Sequence, residues 1–151
     1  MSLSAIIGAV STLLGGVSGI GQVYTYQRMG VDPDRAPSVF QTGGSLNAWT
    51  ITDDSMTEVR DTNSENLRTH GLVIRGYFAH NDAGASDQVF RELVQAICDT
   101  FRAKYTLNGT CEEASPMQVD TREFITFNAG AIFAHHCRLR LTARERVVVH
   151  Y

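Results

Sequence analysis

The sequence predicts an α+β fold in a single domain spanning 1–151, with one mixed or mostly antiparallel sheet and two main helices packed on it. A chain of 151 residues fits one domain. Its predicted elements run helix, strands, helix, strands, which departs from the regular alternation of a doubly wound fold. Apolar residues make up 43% and charged residues 19%, so we expect a buried core of ordinary size.

The first half of the chain is predicted to begin with a helix and to continue in strands. Apolar residues recur at helical spacing from Ser4 to Val17, with Ser2 or Ser4 as the cap and Gly15-Gly16 as the stop signal. Segment 22–29 favours a strand because Val, Tyr and Thr dominate it. Segment 30–45 predicts a long loop, and a loop of that length is uncommon unless it has a role such as binding a partner. Further strands are predicted over 46–52, 56–60 and 67–79.

The second half contains the clearest helix and a late hairpin. Ser86 is predicted to cap this helix, with Asp87 in its first turn. A strand over 121–128, a tight turn at Ala129-Gly130 and a partner strand over 131–142 predict the hairpin. Segment 143–151 is either an arm or one more strand. The apolar stripe of the helix comprises Val89, Phe90, Leu93, Val94, Ile97 and Phe101.

The opening segment, the charge and the cysteines exclude several classes of protein. Ser2 to Ile20 is apolar but interrupted by glycines, and no basic residue precedes Arg28, so we expect a docking helix and neither a targeting peptide nor a membrane span. A net charge of −3 argues against nonspecific nucleic-acid binding. Three well-separated cysteines indicate a reducing compartment and no disulfide framework.

The densest group of reactive side chains is His135-His136-Cys137. Neighbouring strand residues point to opposite faces, so His135 and Cys137 share one face and His136 lies on the other. That face is otherwise mostly apolar, which favours His135 and Cys137 as core residues. A metal site or a Cys–His pair is the alternative. The sequence lacks phosphate-loop, dinucleotide and metalloprotease motifs, so no catalytic residue, cofactor or metal ligand is predicted.

The face that carries His136 continues as a basic stripe, with acidic residues expected in other regions of the surface. A solvated face, a subunit contact and a nucleic-acid surface are three open interpretations of this stripe. Opposite charges on separate patches would favour head-to-tail contacts, which close into rings when the rotation closes. Charge and loop position select these subunit-interface candidates: Arg138, Arg140, Arg144, Arg146, Asp53, Asp54, Glu58, Pro33, Pro37 and Phe40.

Six segments of the chain, taken in order, define a characteristic layout. They are the apolar helix Ala5 to Val17, Gly19 to Tyr24, Ala48 to Ile51, the strand His70 to Tyr77, the second helix, and the hairpin ending in His136 to Leu141. Over nearly its whole length the chain resembles the tail terminator (tail completion) proteins of long-tailed bacteriophages. This family has no residue-by-residue signature, so no functional position carries over from it.

The resemblance implies a structural virion protein, assembled in the host cytoplasm, that forms a hexameric ring on the phage tail. Such a ring caps the tail tube, joins it to the head-tail connector or neck, and lets DNA pass through its bore. It implies no enzymatic activity, cofactor or membrane contact. Another phage neck or tail component, such as a connector or tube-like protein, is the first alternative. A small metal- or Cys/His-dependent enzyme is the second.

Overall fold

A mixed sheet carrying two helices makes up the described part of the chain. The computed structural model describes residues 2–26, 41–42, 45–79, 81, 84–127 and 132–149. Within them the predicted α+β class and the mostly antiparallel sheet are confirmed. The elements are α1 (Leu3–Gly15), β1 (Gln22–Tyr24), β2 (Gln41–Thr42), β3 (Ser45–Arg60), β4 (Glu65–Ala79), α2 (Ser86–Arg102), β5 (Glu113–Ala114), β6 (Gln118–Phe127) and β7 (Ile132–Val148).

Three long strands form the centre of the sheet. β4 pairs in antiparallel register with β3 on one side and with β7 on the other. The β4–β7 ladder runs without a register shift from Glu65↔Val148 to Ala79↔Ala134. β1 joins β3 in parallel, whereas β2 joins β3, and β5 and β6 join β7, in antiparallel register.

Two register shifts bend the outer strands. In β3 the shift lies between Asp53 and Ser55, so Asp54 is the extra residue of a bulge. In β6 it lies between Val119 and Thr121, which makes Asp120 the extra residue. The expectation of two separate strands over 46–52 and 56–60 is wrong, because the bulge absorbs Asp54 and β3 continues as one strand of 16 residues.

The core lies between the two helices and one face of the sheet. Ser2 begins α1 by accepting a hydrogen bond from the Ala5 N–H at 3.1 Å, as one of the two predicted caps. Burial of a large apolar side chain contributes about 1.5–3 kcal/mol, so this layer supplies most of the folding free energy. Its fully buried large members are Trp49, Phe90, Ile6, Leu14, Ile51, Leu72, Ile74, Ile97, Leu107, Leu139 and Leu141.

The stripe of α2 packs on the sheet as predicted, with one exception. Phe90, Leu93, Val94, Ile97 and Phe101 are buried. Val89, the sixth member of the predicted stripe, remains 44% exposed because it lies at the N-terminal end of α2 beside an open cleft. Neither described helix has the length and apolar character needed to cross a membrane.

The predicted loops and the hairpin are only partly covered by the described residues. Residues 41–42 and Ser45, placed in the 30–45 loop by the sequence, belong to β2 and β3, while 30–40 and 43–44 lie outside the described residues. The turn expected at Ala129-Gly130 also lies outside them. Residues 143–148, expected as an arm or a last strand, continue β7 and pair with β4.

Gly76 provides a sharp test of the packing. A Cβ atom at this position would lie 2.6 Å from Cε3 and Cη2 of Trp49, a ring that is fully buried. We expect Gly76→Ala to lower the free energy of unfolding by about 1–3 kcal/mol, because the Trp49 ring has to shift. Chemical denaturation monitored by Trp49 fluorescence measures the change.

Gly8→Ala is the matched control, since nothing lies within 4 Å of a Cβ atom there and Gly8 is inside α1. This variant should be more stable than the wild type by about 0.5–1 kcal/mol. Equal midpoints for Gly76→Ala and the wild type would contradict the tight Trp49–Gly76 contact.

Candidate subunit interface

The basic stripe of β7 lies on the sheet face opposite the helices, and acidic side chains of the same chain meet it. Arg140 Nη2 lies 2.8 Å from Asp54 Oδ2, and Arg140 Nε lies 3.2 Å from Asp120 Oδ2. Arg138 approaches the same two carboxylates at 3.7 and 3.8 Å. Both aspartates are the extra residues of the bulges, so the two irregular strands supply the partners of one arginine pair.

Arg144 and Arg146, which lie further along β7, are also paired with carboxylates of the same chain. Arg144 Nη2 lies 2.6 Å from Glu113 Oε2, and Arg146 Nη2 lies 2.9 Å from Glu112 Oε1. Arg146 also contacts Glu65 at 3.1 Å and Asp61 at the β3–β4 turn. These hydrogen bonds, from Glu112 first and then from Asp61 and Glu65, raise the pKa of the Arg146 guanidinium, so it is charged at every accessible pH.

The expectation that the acidic residues occupy a separate patch is wrong for most of these groups. The β3–β4 hairpin and residues 112–113 at the start of β5 bring these acids onto the arginine face, although Asp61 and Arg146 are 85 positions apart. Paired arginines also make a weak phosphate-binding surface, which disfavours the nucleic-acid interpretation. Solvent-exposed ion pairs of this kind contribute little to stability, so they mainly fix local geometry.

The remaining interface candidates fall into three places. Asp53 is exposed on β3. Glu58 lies beyond the bulge, where hydrogen bonds from Asn66 and then from Arg68 lower the pKa of its carboxyl group. The loop candidates lie outside the described residues: Pro33, Pro37 and Phe40.

Both ends of the described sheet present strands that are paired on one side only. β3 beyond Thr50 pairs with β4 alone, and β6 pairs with β7 alone, among the residues that the structure describes. An unpaired strand edge offers a row of N–H and C=O groups to another chain. Large apolar side chains are also exposed near these edges: Met56, Val59, Val119, Phe124 and Phe133.

The predicted separation of His135, His136 and Cys137 onto two faces is confirmed. His135 and Cys137 are buried on the helix side, although Phe133 of the same face is 54% exposed. His136 lies on the opposite face, with Nδ1 3.2 Å from Glu123 Oε1 and its ring against Tyr77. Burial lowers the pKa of His136, with the Glu123 contact opposing that shift.

The thiol of Cys137 is poorly suited to catalysis. Burial raises its pKa to about 12, so it remains protonated at neutral pH. Among the described residues, no group of three or more His, Cys, Asp or Glu side chains is arranged to hold a metal ion. The Cys–His alternative therefore has no reactive thiol at this position.

A buried polar cluster on the helix side was not anticipated from the sequence. Glu145 is 2% exposed, and its Oε1 lies 2.9 Å from His70 Nε2 and 3.5 Å from Arg68 Nη1. Arg68 Nη2 also lies 2.8 Å from Glu58 Oε1, so the cluster extends from the interior to the surface. Alternation along β7 was the available signal, because Glu145 shares a face with the buried residues Leu141 and Ala143.

A second polar pair, also missed from the sequence, lies at the start of α2. Ser86 Oγ lies 2.8 Å from His135 Nε2, and it accepts a hydrogen bond from the Asn81 N–H at 2.8 Å. Ser86 was predicted to cap α2 but is its first helical residue. Ala85 occupies the cap position, in the left-handed region with φ 53°. His135 packs between the rings of Phe90 and Phe124.

A cleft of about 290 Å³ opens beside this pair. It is lined by Leu46, Asn47, Phe78, Ala79, Asn81, Gly84, Ser86 and Val89. The cleft thus lies where the end of β4, the start of β3 and the start of α2 meet.

Cysteine alkylation tests the burial of the three thiols. We expect Cys98 to react first with iodoacetamide in the folded protein, since it is the one partly exposed thiol of the three. Cys137 should remain unmodified at pH 8 until the chain unfolds, because its pKa of about 12 leaves almost no thiolate. Peptide mass spectrometry over time gives the order, and early modification of Cys137 in folded protein would contradict this placement.

Comparison with known proteins assigns no family to the chain. No protein-family model matches the chain, and no curated protein matches its sequence.

Proposed function

We propose that this chain is a structural subunit that assembles with copies of itself into a ring at the end of a phage tail. The observation that carries the proposal is the pair of one-sided strands, β3 and β6, at opposite ends of the described sheet. The resemblance to tail terminator proteins supplies the expected copy number of six. It also supplies the partners, which are the tail tube and the head-tail connector or neck.

Edges at opposite ends of one sheet favour a head-to-tail arrangement. If the β3 edge of one copy pairs with the β6 edge of the next, the contact is heterologous and repeats around a closed ring. Main-chain hydrogen bonds supply the pairing, while exposed side chains such as Val59 and Phe124 add apolar contact. The bulges at Asp54 and Asp120 set the twist of these edges, and thereby the angle between neighbouring copies.

The charge distribution supports a ring through which DNA passes without being held. Tight binding to a phosphate backbone needs unpaired lysines or arginines that displace counterions. Arg138, Arg140, Arg144 and Arg146 already contact carboxylates of their own chain. A net charge of −3 acts in the same direction.

Native mass spectrometry of the purified chain tests the assembly, and proline substitutions in β3 test the edge. Adjacent residues of an antiparallel strand direct their N–H groups alternately towards the partner and away from it. Of Met56→Pro and Thr57→Pro, therefore, one removes a hydrogen bond to β4 and the other removes only an outward N–H group.

We expect the wild type to have the mass of six chains. The proline variant that keeps the wild-type unfolding midpoint should remain a monomer, because it has lost only its outer edge. A hexamer that persists in this folded variant would exclude the β3 edge from the contact. A wild-type monomer at high concentration, also in the presence of tail tubes, would contradict the ring.

A charge swap separates contacts within a subunit from contacts between subunits. Arg140→Glu places a third carboxylate beside Asp54 and Asp120, and we expect it to weaken assembly by disturbing the arginine face. The double variant Arg140→Glu/Asp54→Arg restores an opposite-charge pair within the chain, so its hexamer should return in native mass spectra. A folded double variant that stays monomeric would instead place Arg140 against a neighbouring copy.

A further inference from the structure

Ser86 occupies an unusual position as the first residue of α2. The residue before it, Ala85, has φ 53° and ψ 48°, a left-handed conformation that is strained for a non-glycine residue. Strain of this kind concentrates at functional sites, where it directs a particular side chain. Here the strained residue, Ala85, immediately precedes α2 and sets the direction in which the chain enters the helix at Ser86.

The hydrogen bonds around Ser86 favour an activated hydroxyl group. The Asn81 N–H donates to Ser86 Oγ, and the Ser86 hydroxyl can donate its own hydrogen to His135 Nε2 at 2.8 Å when Nε2 is unprotonated. In this arrangement His135 carries its own proton on Nδ1 and offers Nε2 as a base. Packing between Phe90 and Phe124 holds the imidazole ring in place. A serine within hydrogen-bond reach of an oriented imidazole is the geometry of an activated nucleophile.

The cleft beside Ser86 fits a small acyl group. Its volume is about 290 Å³, near the lower limit for small-molecule pockets. Leu46, Phe78 and Val89 supply apolar walls. Asp87, the next residue in α2, is held by Arg91 at 2.9 Å, which offsets its negative charge near the helix start.

The start of α2 also presents N–H groups that would stabilise a negative charge developing on the substrate. The first N–H groups of a helix have no acceptor within the helix, and the helix dipole is positive at this end. In serine hydrolases the N–H of the residue after the nucleophile commonly stabilises the oxyanion. The Asp87 N–H occupies the corresponding position in the sequence.

We propose that Ser86 and His135 form a nucleophile–base pair that accepts an acyl group from a small activated ester or thioester bound in this cleft. The Ser86 hydroxyl proton moves to His135 Nε2 as the bond between Oγ and the acyl carbon forms. The acyl oxygen becomes an oxyanion at the start of α2. The bond to the leaving alkoxide or thiolate then breaks, and the leaving group takes the proton from His135. Water releases the acyl group by the same steps.

This proposal does not rest on ring assembly, and p-nitrophenyl acetate is the probe that tests it in the 151-residue chain. We expect a burst of one equivalent of p-nitrophenolate, with one acetyl group mapped by peptide mass spectrometry to Ser86. Ser86→Ala should abolish both the burst and the modification. His135→Asn should slow acylation by about 100-fold or more, because general-base catalysis contributes about 10²–10⁴-fold.

Two matched controls separate this site from ordinary surface reactivity. Ser64→Ala, at the β3–β4 turn, and His136→Asn, on the opposite sheet face, should leave the burst unchanged. If Ser86→Ala does not fold, Ser86→Cys keeps a nucleophile of similar size, and iodoacetamide should then modify position 86 in the folded protein. A folded wild type that carries no acetyl group on Ser86, or one acetylated only at other residues, would overturn the proposal.

Discussion

The uninterrupted ladder between β4 and β7 is the constraint on which the other features depend. Because side chains alternate between faces, one register assigns Leu72, Ile74 and Leu139 to the core and Arg138 and Arg140 to the opposite face. A slip by one residue would exchange these two sets, burying the arginines and exposing the core. The same register positions His135 beneath the start of α2 and Glu145 beside His70, so both buried polar pairs follow from it.

Local sequence patterns were sufficient for the elements that depend on periodicity. The stripe of α2 and the Ser2 cap of α1 were predictable because helical spacing and cap chemistry act over a few residues. β3 was predicted as two strands because Asp53-Asp54 is typical of a turn. A bulge next to Gly71, where a Cβ atom would meet Ser55 and Asp54, accommodates the extra residue instead.

The candidate site was less predictable because its contacts join distant segments. The sequence identified the arginines of β7, yet their partners Asp54 and Asp120 come from two other strands, and both are the extra residues of bulges. Ser86 was interpreted as a cap because a serine before an apolar stripe usually is one. Its partner His135 is 49 positions away, and only the fold brings them together.

The one-sided edges of β3 and β6 have a consequence for the chain on its own. A newly made chain that displays long unpaired strands is at risk of indiscriminate aggregation, and sheet proteins counter this with charges and bulges at their edges. β3 carries Asp53, Asp54 and Glu58 along its outer part, and both edges are bent by a bulge. Such charges and bulges disfavour indiscriminate pairing of the two edges, so under the proposed ring a contact requires an edge that matches the bend.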